Sequence, residues 1–149
     1  MQRRGQLWFA AQFVLFCAIL LAPLVGQFDC PLWLRVLGLI MLAGGIIIAV
    51  LGYRTLGGSH SPWTNPIEGG HLVTTGIYHY MRHPIYTGWV LVALGWAPVF
   101  GTLFGVGVAT AGFIFYNLKS REEEKWLTEK YVAFPAYQRE VKKFIPGIY

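Results

Sequence analysis

One polar and aromatic stretch interrupts an otherwise apolar chain: Gly76-Ile-Tyr-His-Tyr-Met-Arg-His-Pro-Ile-Tyr-Thr-Gly88. Two apolar spans precede it, and two more follow it before a charged tail. Proline is tolerated in the first turn of a helix, so Pro84 predicts a helix start, with Arg82 and His83 immediately before it. The stretch therefore predicts a polar site at the mouth of an apolar helix.

The composition is that of a membrane protein. The 149 residues are 55% hydrophobic and 13% charged, with a mean hydropathy of +0.48, outside the usual range of soluble domains. The net charge of +5 does not indicate nucleic-acid binding, because the basic residues form no stripe and membrane spans also collect them on their cytoplasmic flanks. Cys17 and Cys30 are expected at different depths, so we predict no disulfide.

Four apolar segments predict four transmembrane helices, at residues 7–25, 32–53, 85–99 and 103–118. The first would span roughly 28 Å as a helix, close to the hydrocarbon thickness of a bilayer. The last two are predicted to form a hairpin, because one continuous helix would run roughly 51 Å. Small residues on the second segment predict close helix packing and permit a homodimer. These are Gly38, Ala43, Gly44, Gly45, Ala49 and Gly52.

The predicted fold is all-α, a single multi-pass membrane domain over residues 1–149. Residues 54–75 are rich in Gly, Pro, Ser and Thr and predict a long loop, either functional or a passive linker. The tail, residues 119–149, predicts two short interfacial helices separated at Pro135. Eleven of the twelve Lys and Arg residues fall on the side of the N-terminus, the loop and the tail, and Arg35 alone falls near the other side. The positive-inside rule makes that side cytoplasmic.

Three carboxylates, Glu122, Glu123 and Glu124, follow the fourth predicted span directly. A solvated charge run is the simplest interpretation. However, negative charge is disfavoured at a helix C-terminus, where this run is expected to lie. We therefore expect a compensating group nearby, either a basic residue of the protein or a ligand that offers a sulfonium, an ammonium or ribose hydroxyls.

A zinc site is the alternative interpretation of the histidines in this region. His79 and His83 are four residues apart, with His60 and His71 upstream. No Cys joins these histidines, and Pro84 argues against a regular helix through His79 and His83. We predict no metal site.

The residues that resemble a known family are Gly76-x-Tyr78-x-x-x-Arg82-His83-Pro84-x-Tyr86-x-Gly88, followed by Glu123-Glu124-x-x-Leu127 and an aromatic tail. This compound motif resembles the isoprenylcysteine carboxyl methyltransferase family of integral membrane methyltransferases, which is grouped with phospholipid N-methyltransferases and thiol S-methyltransferases. The resemblance covers residues 72–146. It departs from the family's pattern in the tail, where the spacing between Leu127 and Tyr137 is one residue shorter and Val132 replaces a common Gly.

The resemblance implies that S-adenosylmethionine binds at the cytosolic end of the bundle, with a lipophilic substrate entering from the bilayer. Carried over residue by residue, it implies that the cofactor is bound by Tyr78, Arg82, His83, Tyr86, Lys119, Glu123 and Glu124. Lys119 stands where family members often carry Arg. Because the tail departs from the pattern, its acceptor-side residues are not carried over.

Two of these residues are also candidates for catalysis. Methyl transfer from a sulfonium is an in-line displacement, so orientation and exclusion of water can supply most of the rate. Arg82 would suit an anionic acceptor, whereas His83 would suit an amine that must lose a proton. The residues leave a carboxylate, an amine and a thiol open as acceptors.

Two other functions are compatible with parts of the sequence. A non-catalytic membrane module would bind a partner or anionic lipid through the basic tail. A nicotinamide-dependent sterol reductase has a similar C-terminal half but more spans than the four predicted here.

Overall fold

All regular secondary structure is helical in the part of the chain that the computed structural model describes, residues 2–57 and 70–149, with the side chains of the first helix described from residue 6. The helices are α1 (Gln2–Leu21), α2 (Leu32–Leu56), α3 (Pro84–Phe100), α4 (Leu103–Lys130) and α5 (Phe134–Glu140), with 3-10 turns at Ala22–Leu24 and Gly76–His79. The all-α prediction is confirmed for these residues. The predicted loop falls mostly at residues 58–69, which lie outside the described ranges, as does His60.

Two helical segments are long and apolar enough to cross a membrane. Gln6–Leu24 and Leu32–Leu56 have mean hydropathies of 2.2 and 2.5, whereas α3 is apolar but shorter at 17 residues. Large apolar side chains on α1 and α2 face outward: Leu7, Phe13, Leu32 and Trp33 are all more than 60% exposed. Such a surface is suited to lipid rather than to water, so the chain is a membrane protein.

Helices α2 and α3 pack antiparallel along glycines spaced seven residues apart. A Cβ at Gly45 would lie 2.6 Å from the carbonyl oxygen of Gly88, so any larger residue would push the helices apart. The predicted close packing of α2 is confirmed, and its partner is α3. These glycines therefore pack against α3 and are not available to a second copy of the chain. The homodimer stays a prediction, and these glycines do not support it. The close positions are Gly38 with Gly95, Gly45 with Gly88, and Gly52 with Ile85.

The predicted break between the third and fourth spans is confirmed. Helix α3 ends at Phe100, and Gly101 adopts a left-handed conformation with φ of 63°, which glycine tolerates best. Thr102 caps α4 by accepting a hydrogen bond from the Gly105 backbone N–H at 3.2 Å. Its hydroxyl also lies 2.8 Å from the carbonyl oxygens of Ala22 and Val25. The turn is thereby attached to the end of the first membrane segment.

The tail differs from its prediction in where its helices begin and end. Helix α4 does not end near residue 118 but continues to Lys130, because residues 113–130 contain no Gly or Pro and are rich in good helix formers. Glu122, Glu123 and Glu124 therefore lie inside a helix, and their predicted position at a helix C-terminus is wrong. Helix α5 begins at Phe134 with Pro135 in its first turn. The break therefore lies at residues 131–133, just before the predicted position at Pro135, and α5 is the one separate short helix in the described tail.

Candidate functional site

The mouth of α3 is covered by the end of the chain. Pro84 begins α3, as predicted, and His83 is its N-cap residue. The backbone N–H groups of Arg82 and His83 donate to the carbonyl oxygens of Lys142 and Lys143 at 2.9 and 3.0 Å. Two residues of the tail thus pair with the two residues before the helix. This pairing holds the segment after α5 against the candidate site.

Glu124 is the centre of a buried polar cluster. Its Oε1 accepts a hydrogen bond from Arg82 Nε at 3.0 Å and lies 3.0 Å from His83 Nε2. Its Oε2 accepts from Gln138 Nε2 at 3.1 Å and lies 3.6 Å from Lys143 Nζ. The Glu124 side chain is only 9% exposed. One carboxylate therefore joins the mouth of α3, helix α5 and the tail that follows it.

The charge of Glu124 is stabilised by its neighbours. Burial alone would raise the pKa of this carboxyl, but the hydrogen bond with His83 and the electrostatic effects of His83, Arg82 and Lys143 outweigh it. The result is a pKa lowered from 4.5 to about 2. Arg82 is equally engaged, because its Nη1 donates to the carbonyl oxygens of Gln138, at 2.9 Å, and of Val141.

Glu123 has a different environment from Glu124, although the two are adjacent. The Tyr86 hydroxyl donates to Glu123 Oε2 at 2.7 Å, and His83 Nδ1 lies 3.8 Å from the same oxygen. The Glu123 side chain is 29% exposed. The imidazole of His83 therefore lies between two carboxylates, one buried and one partly accessible.

An aromatic wall lies beside Glu123. The rings of His83 and Tyr86 are stacked with centroids 5.4 Å apart and an interplanar angle of 3°. Tyr86 stacks in turn on Tyr116, with centroids 4.9 Å apart. Lys119 Nζ lies 5.3 Å from the centre of the Tyr86 ring and donates to Gln12 Oε1 at 2.7 Å. The wall connects the polar cluster with the interior of the helix bundle.

Tyr78 lies next to this region and is buried, with 7% of its surface exposed. Its carbonyl oxygen accepts a hydrogen bond from the Tyr137 hydroxyl at 2.6 Å. Burial, with the negative charge of Glu123, raises the pKa of Tyr78 above its ordinary value. Burial likewise raises the pKa of Tyr137 to about 12, so both hydroxyls keep their protons at neutral pH.

The structure brings the predicted site residues to one end of the bundle. The charged and aromatic ones are joined by direct contacts, and Tyr78 is close enough to Glu123 for their charges to interact. The predicted residues are Tyr78, Arg82, His83, Tyr86, Lys119, Glu123 and Glu124. Among the described residues, no three His, Cys, Asp or Glu side chains are placed to hold a metal ion.

Three contacting residues were missed by the sequence reasoning. Gln138 and Lys143 reach Glu124 from the tail, from which no acceptor-side residues were carried over. No local pattern marks them, since their contacts are set by how the tail folds back. Gln12 was also missed, although a polar side chain in an apolar helix was a signal that the sequence offered.

Comparisons with known proteins agree with these features. A profile described as phospholipid methyltransferase matches residues 33–133. The chain is 33% identical over 95 residues to protein-S-isoprenylcysteine O-methyltransferase of Xenopus laevis, covering 62% of this chain and 33% of that protein. It is 28% identical over 116 residues to the Dictyostelium discoideum enzyme of the same name, covering 75% and 49%. The human enzyme is 28% identical over 123 residues, covering 78% and 43%.

The chain thus spans between a third and a half of the length of these curated relatives. The profile match covers about two thirds of the chain and includes α2, α3 and α4, with Arg82, His83 and both carboxylates that flank the histidine. The match begins at the second residue of α2 and ends just before α5 begins. On this match, the chain belongs to the phospholipid methyltransferase family of membrane methyltransferases.

Proposed function

We propose that this chain transfers a methyl group from S-adenosylmethionine to a lipophilic acceptor at the cytoplasmic surface of a membrane. The observation that carries the proposal is the placement of Glu123, a partly exposed carboxylate beside an aromatic wall, under a tail held by Glu124. Family membership supports methyl transfer as the reaction.

The residues present fit the proposed cofactor, which supplies a methyl group on a positively charged sulfur. The carboxylate of Glu123 can accept from ribose hydroxyls or an ammonium group. The faces of Tyr86 and Tyr116 can attract a cation or stack on an adenine ring. We therefore assign cofactor contact to Glu123, Tyr86 and His83, with Tyr78 and Lys119 beside them.

Arg82 and Glu124 have a different proposed role. Each is engaged with several protein groups, and Glu124 already faces four donors or cations. A carboxylate in that position has little capacity left for a ligand. We assign both residues to positioning the tail and the His83 ring, rather than to direct contact with the reacting atoms.

The chain's own contribution is orientation and exclusion of water. The tail covers the mouth of α3, so that a reacting group there is shielded from bulk solvent. Both nitrogens of His83 face carboxylates, which leaves the ring poorly placed to take a proton from an amine. This geometry favours an acceptor that is already anionic. The names of these relatives, which specify O-methylation of isoprenylcysteine, support a carboxylate.

The membrane topology is part of the proposal. Four spans would place both termini, the start of α3 and the Glu122–Glu124 run on the cytoplasmic side, where almost all of the Lys and Arg residues lie. The substrate would then be a lipid or lipophilic small molecule that reaches the site from the bilayer.

Calorimetry on the protein purified in detergent tests the proposal. We expect saturable binding of S-adenosylmethionine and of S-adenosylhomocysteine. Glu123→Gln should weaken that binding at least tenfold, because the amide replaces one acceptor oxygen with a donor. Glu122→Gln is the matched control, since Glu122 pairs with exposed Lys125 at 2.6 Å and should leave binding unchanged. No saturable binding by the unmodified protein would overturn the proposal.

The Glu123→Gln variant, together with removal of two lysines in the tail, distinguishes the methyltransferase from the non-catalytic membrane module. That alternative needs the basic tail to be free for a partner, yet Lys143 is 12% exposed and lies against Glu124. It predicts that loss of Lys142 and Lys143 abolishes function while Glu123→Gln does not. The methyltransferase proposal predicts a loss with Glu123→Gln.

A further inference from the structure

Three large hydrophobic side chains are exposed at the end of the tail. Ile148 is 76% exposed, and Ile145 and Tyr149 are each more than 40% exposed. They belong to a turn over residues 144–149, the hydrophobic turn, whose Phe144 side chain is buried. The turn therefore directs one large side chain towards the protein and three outward. A cluster of exposed apolar side chains of this kind marks a contact surface.

The buried side of the hydrophobic turn lies against the candidate site. The ring of Phe144 has its centroid 6.0 Å from that of His83 and 6.1 Å from that of Phe113 on α4. The hydroxyl of Thr87, in the first turn of α3, lies 3.1 Å from the carbonyl oxygen of Phe144. Anything that holds the hydrophobic turn in place therefore also holds the tail over the mouth of α3.

The contacts with α4 place the hydrophobic turn at the depth of the bilayer surface. Phe113 and Asn117 both lie in the apolar segment of α4, residues 103–118, and Asn117 Nδ2 donates to the Tyr149 hydroxyl at 2.7 Å. Phe113 is five residues, or roughly 7.5 Å along the helix axis, inside the end of that segment. Segments that lie in a membrane surface bury their apolar faces about 5–10 Å into the boundary between headgroups and acyl chains. At this depth, outward apolar side chains meet lipid.

The backbone of the hydrophobic turn is suited to that environment. The N–H groups of Phe144 and Ile145 donate to a backbone oxygen of Tyr149 at 2.7 and 2.6 Å. Those of Ile148 and Tyr149 donate to the carbonyl oxygen of Ile145, each at 3.1 Å. Backbone groups without partners are costly to remove from water, so this internal pairing lowers the cost of entering the bilayer surface. Residues 141–149 also contain two Lys and no Asp or Glu, which suits a surface of lipid phosphates.

We propose that the hydrophobic turn inserts Ile145, Ile148 and Tyr149 into the cytoplasmic leaflet of the bilayer and so holds the tail over the mouth of α3. The inference rests on the membrane topology proposed above and not on methyl transfer. We assign the surface to lipid rather than to a protein partner because of its depth. Two contacts then keep the tail in place, the lipid on its outer side and Glu124 on its inner side.

Spin labels report which medium surrounds the hydrophobic turn. The labels are attached to Ile148→Cys, Ile114→Cys and Val132→Cys variants in phosphatidylcholine nanodiscs. Cys17→Ala and Cys30→Ala remove the native thiols, which form no disulfide. Ile114 is exposed on the apolar segment of α4 and is the lipid reference. Val132 is 99% exposed in the break between α4 and α5, more than 18 Å of helix beyond the apolar segment by a rough estimate, and is the water reference.

Power saturation compares relaxation of each label by oxygen, which concentrates in lipid, with relaxation by a water-soluble nickel chelate. We expect the oxygen-to-nickel ratio at Ile148→Cys and Ile114→Cys to be at least threefold higher than at Val132→Cys. A ratio at Ile148→Cys equal to that at Val132→Cys would overturn the proposal. If the ratio at Ile114→Cys were equally low, the membrane topology would be refuted as well, so the two failures are distinguishable.

Hydrogen exchange in the same nanodiscs tests whether insertion holds the tail. Ile148→Asp places a charge that lipid disfavours at an exposed position, so the variant should fold. We expect the amides of residues 141–149 to exchange at least fivefold faster in Ile148→Asp, whereas Ile148→Leu and Val132→Asp should match the unmodified protein. Unchanged exchange in Ile148→Asp would overturn the proposed hold on the tail. Equal acceleration in Val132→Asp would also overturn it, because added charge alone would then explain the effect.

Discussion

Replacement of Glu124 by Gln should destabilise the protein far more than its conservative character suggests. The two oxygens of Glu124 face Arg82 and His83 on one side and Gln138 and Lys143 on the other. A glutamine must place its amide NH₂ on one of those sides, where it meets donors instead of acceptors. The variant also leaves the buried Arg82 guanidinium, whose side chain is 9% exposed, without its counter-charge.

Two considerations give the size of the expected loss in the free energy of unfolding. Removing one partner of a buried, hydrogen-bonded ion pair typically costs about 3–5 kcal/mol. Independently, a pKa lowered from 4.5 to about 2 means that the charged form of Glu124 is favoured in the folded state. At about 1.4 kcal/mol per pKa unit, this corresponds to roughly 3 kcal/mol. For a chain of this size, such a loss lowers the midpoint of thermal unfolding by roughly 6–12 °C.

Thermal unfolding of the detergent-purified variant, followed by intrinsic fluorescence, measures this loss. Hydrogen exchange should show in addition that protection falls first in residues 131–149, because Glu124 holds them through Gln138 and Lys143. The matched control is Glu122→Gln, whose exposed pair with Lys125 should contribute less than about 1 kcal/mol. A midpoint for Glu124→Gln within 2 °C of the unmodified protein, or an equal loss in Glu122→Gln, would refute the assigned role of Glu124.

Three further predictions concern the packing of α2 on α3, the titration of Glu124 and the contact of Lys143 with Glu124. Gly45→Ala should destabilise the protein by about 1–3 kcal/mol in thermal unfolding, because the new Cβ would meet the backbone of α3, whereas Gly44→Ala, with open space around it, should be neutral or stabilising. Because the folded-state pKa of Glu124 is depressed, its contribution should be complete above pH 4.5 and be lost as the pH falls towards 2; the Glu124→Gln variant should lack that slope. Lys143→Gln should loosen the tail in hydrogen exchange, since Lys143 lies 3.6 Å from Glu124, while exposed Lys142→Gln should not.

The helical fold was predictable because its signals are local. Apolar length marked where helices α1 to α4 lie, and Pro84 and the break before Leu103 marked two helix starts that the structure confirms. The small-residue face of α2 predicted close packing but not its partner, because the glycines of α3 that complete the contact lie some 40–60 residues further along the chain. A face of small residues is compatible with either an internal or an external neighbour.

The extent of α4 was missed because charge was taken to end the helix. Charged residues end a membrane span, but Glu, Lys and Leu are good helix formers, and nothing between residues 113 and 130 interrupts the hydrogen bonding. The contacts of the tail could not be predicted for a different reason. Gln138 and Lys143 find Glu124 only after α5 and the segment beyond it have turned back over the mouth of α3.

The length of α4 also explains why two adjacent glutamates have different environments. Neighbouring residues on a helix point about 100° apart, so Glu123 and Glu124 cannot face the same partner. Glu124 faces the tail and is buried, whereas Glu123 faces Tyr86 and stays partly exposed. The His83 ring spans the gap, with one nitrogen 3.0 Å from Glu124 and the other 3.8 Å from Glu123. Through the His83 ring, the adjacent pair therefore connects the packing of the tail with the position of the accessible carboxylate, which a single glutamate at either position could not do.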